Sequence, residues 1–113
     1  MPVRAVAALA ALLIAGPALA QPPPDHQSSI TRGEALVSQN CSMCHATGTS
    51  GDSPNPQAPH FRELGQRYPV QDLGEALAEG IIVGHGPMPE LRFSSGDVTD
   101  IVAYLQSIQV AGR

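Results

Sequence analysis

The stretch CSMCHATG, residues 41–48, holds both cysteines of the chain, spaced C-x-x-C, with His45 directly behind the second. Two thiols and an imidazole packed this closely are chemistry rather than ornament. Which chemistry depends on where the chain goes and on what surrounds the motif. Working towards the N-terminus, the chain opens MPVRAVAALAALLIAGPALAQPPP. Arg4 is a lone charge, residues 5–15 are unbroken apolar sequence, and Ala18-Leu19-Ala20 is a small-x-small cleavage site. That order predicts a secretory signal peptide over residues 1–20, cut before Gln21, and hence an exported, periplasmic protein. The apolar run is shorter than the roughly 20 residues a membrane-spanning helix needs, so no stable membrane insertion is expected after cleavage.

Residues 21–29, QPPPDHQSS, lack apolar content and read as a flexible leader. The remainder, residues 30–113, is short enough for one domain. It has few large apolar side chains for a core: no Trp, two Tyr (Tyr68, Tyr104) and two Phe (Phe61, Phe93). Small exported domains of this kind need a staple or a bound group. A disulfide between Cys41 and Cys44 would close too small a loop to serve. Every basic residue is arginine, and removing Arg4 leaves five against ten carboxylates, a net charge of −5. Such a balance excludes nucleic acid as a partner, because that surface requires a basic footprint.

Three helices are predicted and no segment alternates as a strand, so the fold class is all-α. Thr31-Arg32-Gly33-Glu34 has the form of a capping box, with Gly33, Leu36, Val37, Cys41 and Cys44 following on one face. A similar start at Asp72 predicts a helix over about residues 72–80. Ser94-Ser95-Gly96-Asp97 opens the third helix, whose inner face carries Val98, Ile101, Val102, Leu105 and Ile108. Residues 46–60 form a long Gly-, Ser- and Pro-rich loop, a length that points to function.

C-x-x-C-H is the sequence by which haem is attached covalently. The spacing lets two thiols reach vinyl groups on neighbouring pyrroles and forces the histidine towards the iron. Cys41 and Cys44 are then the thioether anchors and His45 the proximal iron ligand. A thioredoxin-like dithiol would need a βαβ setting that is missing here. A zinc site would need His60 or His85 as a fourth ligand beside an awkward Cys44-His45 pair. For the sixth iron position Met88 is the expected ligand, because Pro87 and Pro89 stiffen its loop. His85 and His60 are the alternatives, while Met43 sits between the anchors and cannot reach the far face.

These residues make the chain resemble a class I c-type cytochrome of the small bacterial periplasmic kind, over about residues 30–109. Gly33, Val37 and Cys41 resemble the family's N-terminal helix, and DIVAYLQSI, residues 100–108, its C-terminal helix. The resemblance implies one covalent haem c wrapped by short helices, with Gly33 and Val37 packed against Ile101 and Tyr104. It implies Met88 as the distal ligand. It also implies a proline carbonyl accepting the proximal Nδ1–H: Pro59, with Pro54 and Pro56 as the other choices. Phe61 resembles an aromatic lining the haem pocket. Ala46 departs from the family's usual glycine, and the lysine ring of mitochondrial relatives is absent.

The expected function is one-electron transfer between redox proteins, from a dehydrogenase to an oxidase or another cytochrome, and not enzyme catalysis. The chain would be a monomeric shuttle or a dedicated subunit bound to a dehydrogenase. A haem peroxidase or gas-binding protein would need an open sixth position, which Met88 would close. The excess of carboxylates makes an acidic docking face the expectation, with an apolar contact as its competitor.

Overall fold

In a computed structural model of the chain, residues 1–3, 5, 10–20, 24–80 and 88–111 are described. Among them are three α-helices, two 3-10 helices and no strand, as the all-α expectation requires. No helix among the described residues is long and apolar enough to cross a membrane.

Helix α1 spans Pro24–Cys41, with proline at its start, where the missing N–H costs nothing. The expected boundary at Thr31 is therefore wrong, and residues 24–29 belong to the helix rather than to a leader; residues 21–23 lie outside the described residues. The reason is tertiary. Ser29 is buried and its hydroxyl donates to Asp100 Oδ1, while Ile30 packs against the core, so the turn ahead of Thr31 has something to dock on. Thr31 turns its hydroxyl back to the Gln27 carbonyl at 3.1 Å, as threonine does inside a helix.

Helix α2 covers Leu73–Glu79 and α3 covers Ser95–Ser107. The Ser94 cap is as expected: its hydroxyl accepts the Asp97 N–H at 3.2 Å. Asp72 does not cap α2 with its side chain. A 3-10 helix, Val70–Asp72, runs straight into α2 instead and organises its first turn. The other 3-10 helix, Phe61–Gln66, buries Phe61 and Leu64 and follows the long loop directly.

Helices α1 and α3 form the main packing pair. At their crossing a Cβ on Gly33 would lie 1.9 Å from the Asp100 carbonyl oxygen and 2.8 Å from Tyr104 Cβ, so only glycine fits. Val37, Ile101, Tyr104, Leu105 and Ile108 form the core around this crossing, joined by Phe61, Leu64, Val70 and Leu77. Arg32 clamps the same pair: its Nε donates to Asp100 Oδ2 at 2.7 Å and its Nη2 to Oδ1 at 3.0 Å. Arg32 and then Ser29 hold the Asp100 carboxyl below the usual carboxylate range.

The end of α3 fixes the first 3-10 helix. Gln109 Nε2 donates to the Phe61 carbonyl at 2.8 Å, its Oε1 accepts the Gly65 N–H at 2.7 Å, and the Val110 N–H reaches the Arg62 carbonyl at 2.9 Å. The scaffold thus holds both ends of the loop between α1 and residue 61. One end is the last turn of α1, docked on α3; the other is Phe61, buried and tied to α3.

Candidate haem-attachment site

Cys41 is the last residue of α1, and residues 42–44 turn immediately behind it. The Cys44 and His45 N–H groups both donate to the Cys41 carbonyl, at 3.2 and 3.0 Å, so the motif curls into one tight turn at the helix end. Both cysteines are free thiols and half-buried. Cys41 packs against the core, and burial pushes its thiol up to about 11. A redox dithiol needs the opposite, a lowered pKa and an exposed thiolate.

The His45 ring is held on two sides. Its Nδ1 donates to the Pro59 carbonyl at 2.9 Å, because a carbonyl can only accept. Its ring lies 4.6 Å from that of Phe61, tilted by 39°. The bond fixes the tautomer: the proton sits on Nδ1 and the lone pair on Nε2 is free for a metal. Of the three prolines considered for this role, Pro59 makes the bond, while Pro54 and Pro56 are exposed.

The long loop is laced to the motif by residues that have no signal of their own in the sequence. Ser53 is buried, and its hydroxyl accepts the Ala46 N–H at 2.9 Å. The Asn55 N–H donates to the Cys44 carbonyl at 3.1 Å and the Phe61 N–H to the Ala46 carbonyl at 3.0 Å. From α3, the Tyr104 hydroxyl donates to the Thr47 carbonyl at 2.7 Å. These bonds bracket His45 on both sides along the chain and across to Pro59. Ala46 itself is buried in this lacing, where the resembled family has glycine.

Met88 is half-buried and opens the described segment that leads to the Ser94 cap. His85 and Pro87 lie outside the described residues. His60 faces other partners: Arg62 Nη2 donates to its Nδ1 at 3.1 Å, and Asp52 lies 3.8 Å from its Nε2. Among the described residues, no three His, Cys, Asp or Glu side chains are grouped to hold a metal ion.

The donor set fits haem c. Two unpaired thiols stand at the end of a helix, and one imidazole is orientated with Nε2 available. No curated protein and no solved structure matches the chain significantly. The family model described as Cytochrome c matches residues 30–109, the same span that carries the helix crossing, the motif and the loop. The chain belongs to the cytochrome c family, and with it to the electron-transfer proteins that carry a covalently bound haem c.

Proposed function

We propose that the chain is an exported, periplasmic one-electron carrier whose iron is ligated by His45 and Met88. The bond from His45 Nδ1 to the Pro59 carbonyl carries the ligand reading, because it leaves Nε2 as the donor and makes the imidazole more basic. Cys41 and Cys44 would hold the haem through thioethers and Phe61 would line its pocket beside His45. When bound, the haem supplies a single Fe(II)/Fe(III) couple. The chain's own residues keep the imidazole from rotating, set the Phe61 ring against it, and offer a thioether from Met88 between two prolines. Ligation by a thioether and an imidazole would raise the potential relative to two imidazoles. Partners are then a dehydrogenase donor and an oxidase or another cytochrome as acceptor. Export rests on the leader pattern of residues 1–20.

The test is Met88→Ala in the haem-loaded protein. The weak near-infrared sulfur-to-iron band of the ferric form should vanish and the potential should fall. Survival of that band would assign the sixth position to another residue.

A further inference from the structure

Gly80 follows the last residue of α2 with φ 110° and ψ 122°, a conformation that residues with a Cβ rarely adopt. Its N–H still donates to the Ala76 carbonyl at 2.9 Å, so it closes the helix. The chain that returns from Met88 lies directly on it. A Cβ at position 80 would stand 2.7 Å from Glu90 Oε1 and 3.2 Å from Arg92 Nε. Those two side chains are paired: Arg92 donates to Glu90 Oε1 from Nη2 at 2.9 Å and from Nε at 3.3 Å. Directly behind them the Phe93 N–H donates to the carbonyl of the buried Leu77 at 3.0 Å. The chain thus leaves α2 at Gly80 and comes back over the same spot at Glu90. These contacts close a stem beneath the segment that carries Met88.

The Glu90–Arg92 pair is exposed, and a pair of that kind contributes little to global stability. Its place in the chain gives it another use. Met88 stands two residues before Glu90 and is half-buried. A closed stem fixes one end of a short tether to the thioether. The tether raises the local concentration of the sulfur at its target and lowers the ordering cost of ligation. By linkage, whatever favours the closed stem favours the ligated thioether, and the reverse holds as well.

We propose that Gly80, Glu90 and Arg92 are positioning residues for the Met88 thioether. Gly80 leaves room for the Glu90–Arg92 pair against the end of α2, and that seat restrains the segment from which Met88 would reach the iron. The proposal rests on the reading of Met88 as the distal ligand.

Imidazole titration of the ferric, haem-loaded protein provides the test. Added imidazole competes with a methionine for the iron, so its affinity reads how firmly Met88 is held, and loss of the near-infrared sulfur-to-iron band reports the displacement. Gly80→Ala forces a Cβ into an unfavourable backbone conformation and against the Glu90 carboxylate, and imidazole should bind about tenfold tighter than to wild type. Glu90→Gln and Arg92→Gln should each tighten it about two- to fivefold. They also decide the matter if Gly80→Ala fails to load haem. Gly33→Ala, at the α1–α3 crossing, is the control for general loosening, and imidazole should bind it as it binds wild type. If Glu90→Gln and Arg92→Gln both keep the wild-type affinity, the proposal falls. It falls equally if Gly33→Ala tightens imidazole binding as much as they do, since affinity then follows overall stability. A wild-type ferric protein without the near-infrared band would instead overturn the Met88 reading, before any variant is compared.

Discussion

Ser53 accepts the Ala46 N–H one peptide beyond His45, and both residues are buried. Ser53→Ala leaves that N–H without a partner inside the protein, a loss of about 1–3 kcal/mol. The expected outcome is a lower unfolding midpoint of the haem-loaded protein, together with shifted ring-proton resonances of His45. Ser53→Thr keeps the hydroxyl and should restore both. A variant that lowers the midpoint but leaves the His45 resonances in place would make Ser53 a stabiliser only. Cys41, Cys44 and His45 stand out as candidates in the sequence because attachment chemistry needs fixed residue types at fixed spacing. Pro59 and Phe61 came through the family resemblance, and the hydrogen bond and ring contact of His45 place them beside it. Ser53 and Asn55 gave no such signal. A hydroxyl or amide in a loop of serines, glycines and prolines has no period, and its partner is decided by how the loop closes.

The crossing of α1 and α3 is the contact on which the elements depend. A methyl group at position 33 would overlap the Asp100 carbonyl oxygen, and that oxygen belongs to helix backbone, which cannot swing aside. Gly33→Ala gains helix propensity on α1, but separating the helices costs about 1–3 kcal/mol. The denaturant midpoint should therefore fall despite the better helix former. A midpoint that rises would show that the helices separate freely at this point. The sequence shows the cap of α3 because Ser94, Asp97 and the apolar period agree locally. The capping-box pattern at Thr31 puts the start of α1 too late, since that pattern is local and the docking of Ser29 on Asp100 is not. The 3-10 helix Phe61–Gln66 escaped for a related reason. Much of its order comes from Gln109 and Val110, more than forty residues away in the chain.

On the scale of the molecule, few of the described side chains are completely enclosed. Among the described residues only Val37 has a side chain less than 2% exposed, while Phe93 and Met88 are half-buried. The best-made contact joins α1 to α3, and the long loop has its hydrogen bonds to the motif rather than a hydrophobic core of its own. A domain of this size buries only about 60% of the surface its unfolded chain exposes, which is marginal without a further apolar body. Covalent haem would supply that body and could not dissociate on unfolding. The variant Cys41→Ala with Cys44→Ala removes the attachment while leaving the Gly33 crossing and the Arg32–Asp100 pair intact. Far-ultraviolet circular dichroism should then show most of the native helical signal lost, with what persists coming from α1 and α3. The elements held mainly through the loop and the smaller core contacts, α2 and the two 3-10 helices, should go first, and amide hydrogen exchange would resolve that order. A haem-free variant with the full helical signal and a cooperative melt would mean that the side chains alone close the fold, and that the haem contributes function without stability.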